Sequence, residues 1–158
     1  PVTGEETGEA NISQFSEKRL RTYLSTLYWK IIEKALDHGL YVVVRPPGVC
    51  PGGIKVDGYY QDYLLKVWDI VSSNTNIKKH SGQVSIELAN EPVNIYDADS
   101  LESARAPYDF FQPIVDKIRA NGFDGIIWVP GTGWQSNYTC YKSNPIEGYN
   151  IGLSLIHI

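Results

Sequence analysis

The chain has 158 residues, a length that suits one domain with a hydrophobic core. Hydrophobic residues make up 42% and charged residues 20%, which is typical of a globular protein. The net charge of −4, together with the lack of a basic cluster, argues against nucleic acid as a partner, and no apolar run is long enough to span a membrane.

The N-terminal part of the chain predicts one long helix. From about Gln14 to His38, apolar residues recur at three- and four-residue steps, as on the buried face of an amphipathic helix. Ser13 or Ser16 is expected to cap its start. Gly39 is expected to end it, because glycine readily adopts the left-handed conformation found just after a helix.

Strands and helices alternate along the rest of the chain. The apolar run from Leu40 to Val44 is typical of a parallel strand that is buried on both faces. Pro113 favours a start of the last helix near Gln112, because proline is tolerated in a first turn. The predicted strands are 40–44, 83–88, 125–129 and 151–158, and the further helices are 57–73 and 108–120, with polar or Pro/Gly-rich loops between them.

This alternation predicts an α/β fold with a parallel sheet and right-handed crossovers. An open doubly wound sheet and a closed barrel both fit the order of the elements. A doubly wound sheet usually brings a phosphate-binding glycine-rich turn, and neither GxGxxG nor GxxxxGK occurs in the chain. The strands end instead in loops with polar or aromatic residues, and three such loops at one rim would build a site.

The triplet Asn90-Glu91-Pro92 follows directly after the strand that begins at Gln83. Asn90 is a turn former, and Pro92 is expected to hold Glu91 in an extended conformation. A carboxylate and an amide therefore end a strand, which is where catalytic groups lie in parallel α/β barrels. The other interpretation is that Glu91 is an exposed acid in a loop and that Asn90 only caps the turn.

The triplet and its strand resemble the fourth barrel strand of clan A glycoside hydrolases, most closely the family 5 cellulases. Residues 38–44 resemble the third strand of that family, and residues 118–134 resemble its fourth helix and fifth strand. The resemblance implies an incomplete TIM (β/α)8 barrel, from about the second helix to the start of the sixth strand. Residues 1–158 would then form a single partial glycoside hydrolase barrel domain.

By this resemblance the chain is a fragment of a retaining β-glycan hydrolase that cleaves O-glycosidic bonds. Glu91 would be its general acid/base, and Asn90 would hydrogen-bond the 2-hydroxyl of the sugar. A retaining enzyme also needs a nucleophilic carboxylate about 5–5.5 Å from the acid. The family carries that nucleophile on the seventh strand, so we expect the fragment alone to be inactive. The alternative is a barrel relative that binds carbohydrate without cleaving it.

Three further residues are candidates for substrate binding. Trp134 lies just after a strand and is the best candidate for stacking on a sugar, although it could also pack beneath its loop; Tyr138 is a second aromatic candidate. Many family members end the third strand with an Asp-x-His pattern, whereas this chain has Arg45 followed by two prolines. Arg45 either binds a sugar hydroxyl, orients Glu91, or forms a structural ion pair.

The expected partner is a β-linked polysaccharide or oligosaccharide, and an extracellular, periplasmic or cell-surface location is expected for an enzyme of this kind. No CxxC or Cys/His spacing indicates a metal site, and no cofactor is expected. Cys50 and Cys140 are compatible with a disulfide, but the sequence does not place their sulfur atoms together.

Overall fold

The computed structural model describes residues 14–46 and 50–154. Two sequence predictions fall outside these ranges, namely Ser13 as a helix cap and the last four residues of the C-terminal strand. The helices are α1 (Glu17–Ser25), α2 (Leu27–Asp37), α3 (Tyr59–Ser73), α4 (Thr75–Lys79), α5 (Ala106–Ala120), α6 (Thr132–Gln135) and α7 (Cys140–Ser143). The strands are β1 (Val42–Val44), β2 (Gly53–Lys55), β3 (Val84–Glu87), β4 (Asn94–Tyr96), β5 (Ile127–Pro130) and β6 (Ile151–Ser154).

Four of the strands form one parallel sheet in the order β1-β3-β5-β6. Ile86 of β3 lies beside Val44 on one side and Ile127 on the other, and Ile127 lies beside Ile151. Each strand is therefore added on the same side as the one before it. A doubly wound sheet reverses this order at a switch point, whereas a barrel adds its strands in sequence. The predicted partial barrel is confirmed, and the doubly wound alternative is wrong.

The core lies between this sheet and helices α3 and α5. Trp68 of α3 is fully buried, and its indole N–H donates a hydrogen bond to the Leu88 carbonyl at 2.9 Å. This contact attaches the helix to the end of β3, just before Asn90. Burying a large apolar side chain contributes about 1.5–3 kcal/mol. The fully buried residues around it include Leu64, Ile86, Phe110, Phe111, Ile114, Ile118, Ile127 and Val129.

Two helices, not one, occupy the region of the predicted long helix. Thr26 separates α1 from α2 with φ −124° and ψ −89°. The hydroxyl groups of Ser25 and Thr26 donate to carbonyls one turn earlier, each at 2.7 Å, and such bonds bend helices. The predicted ends are confirmed: Ser16 accepts a hydrogen bond from the Arg19 amide, and Gly39 follows α2 with φ +74°.

Helix α5 begins at Ala106, so the predicted start near Gln112 is wrong. Pro113 lies inside the helix, where it has no N–H to donate to the Asp109 carbonyl. The buried side chain of Gln61, on α3, donates to that carbonyl at 3.1 Å. A neighbouring helix thus supplies the hydrogen bond that proline removes, which the sequence of α5 alone does not show.

Two segments predicted as loops contain strands. β2 and β4 pair in parallel as a second, two-stranded sheet, and their central residues Ile54 and Ile95 are buried. A second correction concerns the first strand: it begins at Val42 rather than Leu40, and it is not buried on both faces. Val43, in the middle of the strand, is 52% exposed.

Candidate active site

The loops that follow β1 and β3 meet at the carboxyl ends of these strands. The Arg45 Nη1 atom donates a hydrogen bond to Asn90 Oδ1 at 2.8 Å. The Cys50 amide donates to the Asn90 carbonyl at 2.9 Å. Asn90 is buried, and these two hydrogen bonds hold both its side chain and its backbone. Within the described ranges, Arg45 contacts this amide and is in no ion pair.

Glu91 adopts a left-handed backbone conformation with φ +53°, so the expected extended conformation is wrong. The steric argument from Pro92 disfavours the right-handed helical region and says little about the left-handed one. The Glu91 amide donates to Gln135 Oε1 at 3.2 Å. A non-glycine residue in this conformation costs about 1–3 kcal/mol, and such residues cluster at active sites.

The carboxylate of Glu91 lies near the thiol of Cys50. Burial raises the pKa of Cys50 to about 12, and the negative charge of Glu91 acts in the same direction. Glu91 itself is half-buried, and its carboxylate forms no hydrogen bond with any side chain in the part of the chain that the structure describes. A half-buried carboxyl group at a strand end remains available to a substrate.

Turn α6, after β5, binds the segment that contains Glu91. Gly133 and Trp134 both have left-handed φ and ψ angles. Their amide groups donate to the carbonyls of Val93 at 2.8 Å and Pro92 at 3.0 Å. The Trp134 side chain is 54% exposed, so it does not pack beneath its loop. The third predicted loop therefore joins the other two and presents an open aromatic ring.

A buried polar network lies below Glu91. Gln135 is 1% exposed, and its Nε2 atom donates to Glu87 Oε1 at 3.0 Å. The Ser154 hydroxyl donates to the same carboxylate oxygen. Sequence reasoning placed Glu87 within the strand but missed Gln135, because the glycine pattern predicts a turn there without indicating which side chains point inward.

The inner face of the sheet forms an open cavity of about 510 Å³. Trp128 lies over Gly152, where a Cβ atom would come within 2.5 Å of the indole ring, so only glycine fits there. Arg45 connects the cavity to Asn90, whereas Glu91 and Trp134 are not among its lining residues. The lining residues are Val43, Arg45, Glu87, Trp128, Leu153 and Ser154.

The remaining candidates play smaller parts in this geometry. Tyr138 is half-buried and packs near Tyr141, with 6.4 Å between ring centroids, and burial raises its pKa. Cys50 and Cys140 are both free thiols. Residues 14–46 and 50–154 contain no cluster of His, Cys, Asp and Glu that could hold a metal ion, and no helix within them is long and apolar enough to cross a bilayer.

Comparisons with known proteins match most of the chain. Residues 13–155 match the sequence model of the family Cellulase (glycosyl hydrolase family 5). An endoglucanase of Bacillus sp. (strain KSM-635) is 29% identical over 136 residues, which are 82% of this chain and 14% of that protein. The catalytic domain of Thermobifida fusca endoglucanase Cel5A (E5) has the same fold, with a TM-score of 0.56 and 22% identity over 85% of this chain and 42% of that domain. The chain thus spans less than half the length of either relative, and it belongs to glycosyl hydrolase family 5, the cellulase family.

Proposed function

We propose that the chain is part of a retaining β-glycan hydrolase in which Glu91 is the general acid/base. The observation that carries this proposal is the firm attachment of the Asn90–Glu91 pair at the end of β3. Arg45 binds the Asn90 side chain, and Gln135 binds the Glu91 backbone. A fixed backbone at Glu91 favours catalysis, because less ordering is then needed when the carboxyl group meets the glycosidic oxygen. Membership of the cellulase family supports carbohydrate as the substrate.

Each residue has a distinct role in the proposed reaction. Glu91 donates its proton to the leaving oxygen while a second carboxylate attacks the anomeric carbon; Glu91 then removes a proton from the water that hydrolyses the glycosyl-enzyme. Asn90 binds the sugar 2-hydroxyl, a contact that strengthens in the transition state. Trp134 supplies the exposed ring on which a sugar stacks, Tyr138 is a second aromatic candidate, and Arg45 fixes the orientation of Asn90.

The first test removes the proposed acid from a full-length enzyme that contains these 158 residues. Glu91→Gln keeps the size of the side chain but removes the proton, and should lower the rate on soluble β-glucan by about 10²–10⁴. In kcat/KM, which reports the glycosylation step, the loss should be much smaller on 2,4-dinitrophenyl β-cellobioside, because its leaving group needs little protonation. Glu102→Gln, at an exposed acid in the loop after β4, is the matched control and should keep the parental rate.

Hydrolysis of β-glucan by Glu91→Gln at the parental rate would show that the acid assignment is wrong. A full-length protein that binds β-glucan and releases no reducing sugar would support the non-catalytic alternative instead.

We also propose that these 158 residues alone do not hydrolyse glycans. Within the described ranges, the other acids near the strand ends are Glu87, Asp97 and Asp99. Glu87 is buried and accepts hydrogen bonds from Gln135 and Ser154. The Asp97 carboxylate accepts hydrogen bonds from two backbone amides of its own loop, and Asp99 is exposed on that same loop. The nucleophile must face the acid across the sugar on a rigid support, and neither Asp97 nor Asp99 has such a support.

The purified and refolded 158-residue chain should therefore release no reducing sugar from soluble β-glucan, whereas a longer polypeptide that completes the barrel should do so. Turnover by the 158-residue chain that disappears in Glu91→Gln would contradict this and would mean that a second carboxylate lies within it.

A further inference from the structure

We propose that Gln135 is a positioning residue for Glu91 and that the buried carboxylate of Glu87 sets the orientation of the Gln135 amide. This inference rests on the proposed role of Glu91 as acid/base. It adds the pair of residues that hold the acid in place from below.

The two ends of the Gln135 amide face groups of opposite hydrogen-bonding character. Its Oε1 atom accepts from the Glu91 amide at 3.2 Å, and its Nε2 atom donates to Glu87 Oε1 at 3.0 Å. The Glu87 oxygen accepts hydrogen bonds from both Gln135 and Ser154, so the donor end of the Gln135 amide faces Glu87. The acceptor end is then directed at Glu91. Reversing the amide would place oxygen against oxygen and N–H against N–H.

Burial makes this arrangement stringent. Gln135 is 1% exposed and Glu87 is 8% exposed, so water does not readily replace a lost hydrogen bond. Ser154 gives Glu87 a second donor on the same oxygen. A buried carboxylate with two donors is a stable reference point for the orientation of the amide.

Residues 90–93, which contain Glu91, are called the acid loop. Turn α6 attaches to three consecutive residues of this loop. The Gln135 side chain binds the Glu91 amide, while the amides of Trp134 and Gly133 bind the carbonyls of Pro92 and Val93. Gln135 has φ +57°, and the left-handed turn directs its side chain inward while Trp134 remains exposed. The acid and the aromatic surface are thus parts of one unit.

Glu91 needs this support because its own conformation is strained. With φ +53° it occupies a region that non-glycine residues rarely adopt. Without an acceptor for its amide, the backbone can relax toward the extended form that a following proline favours. The carboxyl group would then move away from the glycosidic oxygen, and a displacement of about 1 Å can lower a rate by about 10².

The test is made in a full-length enzyme that contains these residues. Gln135→Met keeps the length of the side chain and removes both its donor and its acceptor. We expect a loss of about 10- to 100-fold in kcat/KM on soluble β-glucan, and of less than about threefold in kcat/KM on 2,4-dinitrophenyl β-cellobioside, because kcat/KM reports the glycosylation step and this leaving group needs little protonation. A residue that only supports the fold would lower both rates by the same factor.

Gln112→Met is the matched control. Gln112 is buried like Gln135 and also holds a backbone segment, accepting from the Glu147 amide at 2.8 Å, but it does not contact the acid loop. Any loss of activity in Gln112→Met should be by the same factor on β-glucan and on 2,4-dinitrophenyl β-cellobioside. Equal losses for Gln135→Met would overturn the inference.

Gln135→Glu is a second variant, which keeps the test valid if Gln135→Met folds poorly. Two adjacent carboxyl groups share a proton, so at acidic pH the new side chain can donate to Glu87 and still accept from the Glu91 amide. Its activity on β-glucan relative to the parent should be highest at acidic pH and should fall as the pH rises. A ratio that does not change with pH would count against the inference.

The variant Glu91→Gln is measured in parallel to separate the two proposals. If it loses activity selectively on β-glucan while Gln135→Met does not, Glu91 remains the acid and the positioning role of Gln135 is wrong. If Glu91→Gln itself shows no dependence on the leaving group, the proposed function is wrong, and the inference fails with it.

Discussion

Cys50 connects the acid loop to helix α3. Its amide donates to the Asn90 carbonyl at 2.9 Å, and its thiol donates to the Tyr60 hydroxyl at 3.4 Å. Burial raises the pKa of this thiol from 9.0 to about 12. Cys50 therefore stays protonated until the pH approaches 12, and its contribution is to packing and backbone support.

The raised pKa of Cys50 predicts a loss of stability at alkaline pH. In the unfolded chain the thiol ionises from about pH 9, while in the folded chain it stays protonated up to about pH 12. The folded state then holds the extra proton, so stability is complete below about pH 9 and falls as the pH rises toward 12. Between about pH 8 and pH 10 the free energy of unfolding should fall by about 1 kcal/mol from this group alone.

Urea unfolding of the full-length enzyme at these two pH values measures this fall. Cys50→Ala should remove the contribution of this thiol to the fall in the free energy of unfolding. Cys140→Ala, at a half-buried thiol, should remove less. An equal fall with and without Cys50 would show that the thiol is not the cause.

At the scale of helices and strands, local patterns predicted the main elements but not all of their limits. The alternation of Val84, Ile86 and Leu88 predicted β3, and the turn chemistry of Asn90 predicted where it ends. The break at Thr26 was not predictable from apolar periodicity, because hydroxyl back-bonding causes it. Strands β2 and β4 stabilise each other only after the chain has folded, so their short sequences carry little signal.

The candidate site was predictable to the same extent. Because parallel strands end at one rim, the sequence predicts that Arg45, Asn90 and Glu91 lie close together, and the structure shows the contact between Arg45 and Asn90. The inward direction of Gln135 depends on the left-handed φ of Trp134 and Gln135, which side chains rarely adopt and which only the surrounding contacts select.

The hydrogen bond from Gln61 to the Asp109 carbonyl, which Pro113 leaves without a backbone donor, gives a prediction for helices α3 and α5. Gln61→Leu removes the donor to the Asp109 carbonyl and should lower the free energy of unfolding by about 1–3 kcal/mol. Pro113→Ala restores a backbone donor for that same carbonyl. The double variant should therefore be more stable than the sum of the two single changes predicts, by about 0.5–1.5 kcal/mol.

Urea unfolding of the parent, both single variants and the double variant of the full-length enzyme measures this coupling. If the changes in the free energy of unfolding are strictly additive, the side chain of Gln61 does not replace the backbone hydrogen bond that Pro113 removes.

At the scale of the molecule, the sheet leaves apolar surface uncovered in the described ranges. β1 and β6 lie at its two edges, and Val43 and Leu153 on them are 52% and 46% exposed. On α2, Leu27 and Ile31 are 54% and 60% exposed, although their spacing predicted a buried stripe. Closed barrels have no such edges, whereas exposed edges and apolar patches promote association.

The isolated 158-residue chain should therefore aggregate or form a loosely packed state. Light scattering after size exclusion should show oligomers, and thermal unfolding followed by circular dichroism should be broad; a longer polypeptide that completes the barrel should be monomeric and unfold cooperatively. Val43→Lys places a charge on edge strand β1 and should reduce the self-association of the isolated chain, whereas Val43→Ala should reduce it less. A monomeric isolated chain with one sharp transition would show that the core between the sheet, α3 and α5 is sufficient without closure of the barrel.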